Sequence, residues 1–294
     1  MRLDAVFPPM ATPLADGEVD ARAIASNIAR WMRTGLGGIV ALGTNGEAAL
    51  LDEDESDRVI AAARDAVPRG RILIAGTGRE STRATIVASK RAAALGADFV
   101  LVRTPSFFKT RMTADAFIQH YTALADACPV PVLLYNFPAL TGVTLSPEVV
   151  GRLAAHPNIA GMKESGSDAA QQAAFADVAP EGFAVIAGSA PTFYAALCLG
   201  LTGGILAAAC VLPELCVALH KAVRAGQHGE ARNLQRQLTP IAKLVTAVHG
   251  VPGLKAAMDH AGYIGGEPRA PLAPASAVAV AEIRAALDGL QQPS

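Results

Sequence analysis

The chain has 294 residues, 51% of them hydrophobic but only 5% aromatic, and a formal net charge of −1. That length suits one α/β barrel with an appendage, and its Ala, Val, Leu and Ile suit buried strands and helix faces. The near-zero charge excludes the electrostatic footprint of a nucleic-acid or anionic-membrane binder.

Short apolar runs recur along the chain. They start at Leu3, Gly37, Arg71, Asp98, Pro131, Ile159, Phe183 and Gly203. Most are continuous Val/Ile/Leu stretches without polar alternation, the pattern of parallel strands buried on both faces. Helical stretches with start signals lie between them. Asp52 precedes the acidic turn Glu53-Asp54-Glu55, Ser81 precedes a long Ala-rich run, and Ser146-Pro147-Glu148 combines a cap, a first-turn Pro and an acid. Ser189 before Ala190-Pro191 predicts another cap. No antiparallel hairpin is expected. Eight strand–helix repeats favour an α/β (β/α)8 TIM barrel, with an open doubly wound sheet as the alternative. From about Gly226 only helical segments remain. The expected division is a barrel over 1–225 and a C-terminal helical appendage over 226–294.

Other classes find little support. The N-terminal segment carries Asp4 and is too Pro-rich for a secretion signal. The longest apolar run, from Gly203, is too short to span a membrane and stops at Pro213. A soluble, cytoplasmic protein is expected. Cys128, Cys198, Cys210 and Cys216 form no CxxC pair and read as reduced core residues. The histidines lack paired ligand spacing, so no metal and no cofactor is expected.

In such a barrel, chemistry sits at the C-terminal ends of the strands. The residues there are Thr12, Gly43-Thr44-Asn45-Gly46-Glu47, Gly76-Thr77-Gly78, Thr104-Pro105, Tyr135-Asn136, Lys163-Glu164-Ser165 and Gly188-Ser189. Of Lys90, Lys109, Lys163, Lys221, Lys243 and Lys255, only Lys163 ends a strand run. An ammonium there is poorly solvated, which favours the free amine that attacks a ketone. A lysine turned to water or paired with Glu164 is as consistent with position alone. Tyr135 closes the preceding strand, where a phenol can relay protons or simply fill the core. Two glycines permit a tight turn at 43–47, and the amides there can hold an anion such as a carboxylate, though an ordinary turn looks the same. Gly76-Thr77-Gly78 lacks the rest of any phosphate-loop signature.

GTNGE at Gly43, YNFPALTG at Tyr135 and GMKES at Gly161 resemble the dihydrodipicolinate synthase/N-acetylneuraminate lyase family of class I aldolases, and the likeness extends over nearly the whole chain. The resemblance implies that Lys163 forms an imine with pyruvate or another 2-keto acid, that Tyr135 relays protons, and that Thr44 helps bind the keto-acid carboxylate. Asn45, Ser165 and Gly188 complete the expected substrate-binding set. It also implies a homotetramer built from tight dimers.

Two departures narrow the activity. Dihydrodipicolinate synthases carry an arginine where this chain has Leu140, and the family's paired tyrosines after the fourth strand are Phe107 and Phe108 here. The stretches GTGRESTRAT, TPSFFKTRM and VPGLKAAMDHAGYIGG are most similar to 4-hydroxy-2-oxoglutarate aldolases. The expected reaction is cleavage of a 4-hydroxy-2-keto acid, such as 4-hydroxy-2-oxoglutarate, to pyruvate and an aldehyde. Alternatives are a 2-keto-3-deoxy sugar acid aldolase or dehydratase, dihydrodipicolinate synthesis, and a binding barrel without turnover.

Overall fold

The structure is a computed structural model that describes residues 3–291. Its frame is eight parallel strands: β1 (Val6–Phe7), β2 (Gly38–Ala41), β3 (Ile72–Gly76), β4 (Phe99–Arg103), β5 (Val132–Asn136), β6 (Ile159–Glu164), β7 (Ala184–Ala187) and β8 (Gly203–Ile205). Each pairs with the next in sequence, and β8 pairs with β1 through Val6 with Gly204 and Phe7 with Ile205. The ring closes between the first two strands, where Met10 N donates to Val40 O at 2.9 Å and Val40 N to Pro8 O at 3.1 Å. The closed barrel is therefore the architecture, and the open sheet is excluded.

Helices α1 (Ala21–Trp31), α2 (Glu53–Ala66), α3 (Thr82–Ala94), α4 (Ala114–Ala127), α5 (Pro147–Ala154), α6 (Ala169–Val178), α7 (Phe193–Cys198) and α8 (Pro213–Arg224) form the outer ring. Their starts follow the local chemistry. Asp52 and Glu55 make a reciprocal capping box at α2, and Ser81 and Ser146 accept from the third amides of α3 and α5. Ser189 departs from the expectation: its side chain caps nothing, and a 3-10 turn at Ala190–Thr192 leads into α7. A second departure is an antiparallel pair, Leu14–Ala15 with Glu18–Val19, turning at Asp16-Gly17. Asp-Gly is a strong hairpin signal, but with two-residue strands it leaves no alternating pattern to read.

Strand alternation sorts side chains into two layers. Phe7, Val40, Ile72, Ile74, Leu101, Leu133, Ile186 and Ile205 fill the barrel interior, and Tyr135 belongs to the same cluster. Leu73, Val100, Leu134, Met162 and Val185 face outward onto the helices. Since Met162 is outward, Lys163 at the next position is inward and Glu164 outward again. Gly76 lets strand ends approach closely, because a Cβ there would lie 1.9 Å from the Leu42 carbonyl oxygen.

Three further helices follow: α9 (His228–Lys243), α10 (Gly250–His260) and α11 (Ala277–Gln291). They pack on the barrel. Trp31 of α1 is fully buried, stacks on Tyr263 with ring centroids 5.4 Å apart, and donates to the Cys210 carbonyl at 3.2 Å. Cys128, Cys210 and Cys216 are buried as expected, whereas Cys198, at the end of a six-residue helix, is exposed. Among the described residues no helix is long and apolar enough to cross a membrane.

Candidate active site

Lys163 is the penultimate residue of β6, its side chain in the barrel interior and only 4% exposed. Its neighbour across the β5–β6 ladder is Tyr135. Lys163 Nζ lies 4.3 Å from the centroid of the Tyr135 ring. The phenol oxygen reaches the Thr44 hydroxyl at 3.2 Å, so Lys163, Tyr135 and Thr44 converge at one end of the barrel although they come from three different strand ends. No carboxylate pairs with Lys163 among the described residues. Glu164, the partner conceivable from sequence, faces the opposite way. It accepts from Asn136 Nδ2 at 2.6 Å and from the amide of Gly166. Burial pushes the Glu164 carboxyl up, against the opposing pull of those two donors. Asn136 also accepts from the Leu145 amide at 3.0 Å, so this pair ties down the loops that follow β5 and β6.

The other expected residues surround this convergence. Gly188 follows β7 and donates to the Glu164 carbonyl. A Cβ on it would meet Ser165 Oγ at 2.0 Å and Lys163 Cε at 3.0 Å, so the missing side chain is what makes room for the lysine. The Ser165 hydroxyl is buried without a hydrogen-bond partner among the described residues. Thr44 is exposed at the barrel mouth and Asn45 half-buried. Their turn is held internally by Gly46 N to Gly43 O at 3.0 Å and Glu47 N to Thr44 O at 3.1 Å. Among the described residues, the amides of Thr44 and Asn45 have no protein acceptor. The turn is bracketed by two non-glycine residues in the left-handed region, Leu42 at φ 56° and Glu47 at φ 59°. Each costs about 1–2 kcal/mol, which the surrounding packing must offset.

Gly76-Thr77-Gly78 belongs to packing instead. Thr77 bonds Ser89 of α3 at 2.8 Å. The loop after β4 is pinned by Glu80, which accepts from Ser106 N, Phe107 N and Arg103. Burial opposes the Glu80 charge, but the Phe107 and Ser106 amides and the Arg103 guanidinium outweigh it and hold the carboxyl below its usual range. Phe107 and Phe108 meet edge to face at 5.1 Å and are 77% and 68% exposed, and Leu140 is 61% exposed. No group of three or more potential metal ligands occurs among the described residues.

Sequence reasoning missed one cluster beside the site. Glu47 is buried and its carboxylate contacts Lys255 of α10 at 2.6 Å. Lys255 carries no local signal beyond being a lysine in the apolar run VPGLKAAM, and its partner lies at the other end of the chain.

A family model described as the dihydrodipicolinate synthetase family matches residues 2–290. The chain belongs to that family. It is 37% identical over 281 residues to the 4-hydroxy-tetrahydrodipicolinate synthase of an Exiguobacterium strain, covering 95% of both chains. It is 35% identical over 283 residues to an Emericella nidulans protein named as a probable mitochondrial 4-hydroxy-2-oxoglutarate aldolase, covering 94% of this chain and 91% of that one. Dihydrodipicolinate synthase from Thermotoga maritima superimposes with a TM-score of 0.94 at 30% identity over 98% of each chain. A prophage protein of the same family from E. coli K12, solved in complex with pyruvate, gives 0.91 at 30% identity, again over 98% of each. As a dihydrodipicolinate synthetase family member, the chain is a class I aldolase, a carbon–carbon lyase, on a TIM barrel.

Proposed function

We propose that the protein is a pyruvate-releasing aldolase for 4-hydroxy-2-keto acids, with 4-hydroxy-2-oxoglutarate as the model substrate and glyoxylate as the second product. Lys163 attacks the C2 ketone, and water leaves to give a ketimine. Tyr135, having given its own proton to the departing water, then takes the proton of the 4-hydroxyl, directly or through Thr44. The C3–C4 bond breaks, its electron pair forming an enamine on Lys163 while the aldehyde departs. Protonation at C3 and hydrolysis release pyruvate and restore the amine. Thr44, Asn45, Ser165 and Gly188 line the keto-acid end, with the Thr44 and Asn45 amides facing the carboxylate. The chemistry needs no metal or cofactor.

The observation that carries the choice of substrate is Leu140. An exposed apolar residue stands where the synthases of this family need a cation for the second carboxylate. A second reading, dihydrodipicolinate synthesis, is supported by the 37% identity to a relative so named. The 2-keto-3-deoxy sugar acid activities remain in the test panel. The protein is read as a cytoplasmic homotetramer assembled as a dimer of dimers, with the exposed Phe107 and Phe108 supporting a buried interface. Light scattering reports the mass.

The test pairs a substrate panel with trapping. Borohydride and pyruvate are expected to leave a reduced pyruvyl group on the peptide containing Lys163 and none on Lys163→Ala. Pyruvate release is expected from 4-hydroxy-2-oxoglutarate, with weak condensation of pyruvate and aspartate semialdehyde. Labelling that survives Lys163→Ala refutes the nucleophile. Synthase rates above aldolase rates refute the substrate class.

A further inference from the structure

The turn that carries Thr44 and Asn45 ends on Glu47, a non-glycine held at positive φ. What holds it comes from the far end of the chain. One Glu47 carboxylate oxygen lies 2.6 Å from Lys255 Nζ, with both side chains buried. The other accepts from the backbone amide of Arg269 at 2.6 Å. Lys255 Nζ also donates to the Thr12 carbonyl at 2.8 Å and the Glu267 carbonyl at 2.6 Å. Thr12 closes the loop from the other side, its hydroxyl donating to the Gly46 carbonyl at 2.7 Å. The Arg269 guanidinium bonds Glu55 of α2, the residue that completes the capping box with Asp52. One buried ammonium therefore joins the C-terminal region, the segment after β1 and the turn after β2.

We propose that Lys255 is a positioning residue for the keto-acid carboxylate: by fixing Glu47 it holds the Thr44 and Asn45 amides and the Thr44 hydroxyl at the barrel mouth, so the C-terminal helical region sets keto-acid affinity. The inference rests on the reading that this turn receives the carboxylate. Lys255 touches no substrate and acts only through Glu47. An ion pair serving stability alone is the competing account, and it differs in what removal does. Replacing a buried pair by apolar groups of similar size is often neutral for folding. A stability role then predicts normal affinity in any variant that folds. A positioning role predicts weakened affinity for ketones that carry a carboxylate and unchanged reactivity toward ketones that do not.

The experiment measures borohydride trapping on Lys163 in the full-length protein, with pyruvate and with acetone as probes, for wild type, Lys255→Met, Lys255→Met/Glu47→Leu and the near-isosteric Glu47→Gln. Thermal unfolding of each variant is followed in parallel. The half-saturating pyruvate concentration is expected to rise about tenfold in Lys255→Met and in the double variant, the equivalent of losing one charge-assisted hydrogen bond. The limiting rate at saturating pyruvate and the acetone rate are expected to stay within about threefold of wild type. Should Lys255→Met fail to fold, Glu47→Gln keeps the Arg269 contact and carries the test, with an expected rise of about threefold. A wild type that reacts equally well with acetone and pyruvate would sink the carboxylate reading itself. A wild type that prefers pyruvate, with folded variants that keep its half-saturation value, overturns the role of Lys255 alone.

Discussion

Gly188→Ala places a single methyl group where three different atoms already stand. The new Cβ lies 2.0 Å from Ser165 Oγ, 2.9 Å from the Glu164 carbonyl oxygen and 3.0 Å from Lys163 Cε. The serine hydroxyl yields by rotating, since it has no partner to lose. The carbonyl cannot rotate away, because it accepts the Gly188 amide itself. Relief there needs a backbone shift, and overpacking of this kind costs roughly 1–3 kcal/mol, or several degrees in Tm for a chain of this size. The lysine contact adds a functional effect. Moving Cε by a few tenths of an ångström turns the amine away from its ring and its ketone. A misplacement of about 1 Å costs on the order of a hundredfold, so roughly tenfold is expected in the rate of pyruvate trapping. Adding Ser165→Ala removes the shortest contact and leaves the other two. The double variant is expected to recover part of the stability and little of the trapping rate. Melting and single-turnover borohydride trapping on the same preparations decide the matter. A Gly188→Ala protein with wild-type Tm and wild-type trapping would show that the strand ends are looser than the built contacts require.

Tyr135→Phe keeps the ring beneath Lys163 and deletes the bond to Thr44. Single turnover is expected to slow by about a hundred- to ten-thousandfold while slow imine trapping persists, and a near-normal rate would place the proton path elsewhere. Leu140→Arg adds a cation on an exposed turn, so stability is expected to change by about 0.5 kcal/mol or less. Condensation with aspartate semialdehyde should rise roughly tenfold or more, and no rise would remove Leu140 as the determinant. His120 is buried, with Nδ1 on Thr82 at 2.9 Å and Nε2 unpartnered, and burial pushes its pKa down to about 4. The unfolded chain takes up that proton first, near pH 6.5. Stability is therefore complete above that pH and lost as pH falls toward 4, by on the order of 3 kcal/mol. Urea midpoints across that range should slope in wild type and flatten in His120→Leu, and equal slopes would contradict the assignment.

What could be read in the sequence follows from the range of the interactions concerned. The strands of the barrel are continuous apolar runs because both faces are covered, and the capped helix starts are local chemistry within four residues. Lys163 is legible for the same reason, as the one lysine that closes such a run. The hairpin at Asp16-Gly17 and the turn before α7 are not, because each is too short for a periodic pattern to form. Thr77 misleads in the opposite direction. It sits at a strand end between glycines, yet its hydroxyl is spent on Ser89, and nothing local tells an outward residue from an inward one there. The contact of Glu47 with Lys255 is invisible because barrel closure, not sequence proximity, brings the two ends of the chain together.

The two buried lysines make the same point about chemistry. Lys255 faces a carboxylate and two carbonyl oxygens, three acceptors matched to the three donors of an ammonium. Burial pushes its pKa down, and the Glu47 contacts offset only part of that shift. Lys163 is as deeply buried but has an aromatic face on one side and a glycine on another, with no paired carboxylate among the described residues. Removing the Lys255 charge would strand Glu47 in the interior, whereas no ion pair with a carboxylate is made by Lys163 among the described residues. Burial alone therefore does not mark a nucleophile. The distinguishing feature is burial without a paired carboxylate, beside a hydroxyl pair such as Tyr135 and Thr44 that can move a proton, and on that ground we propose the covalent role for Lys163 and the positioning role for Lys255.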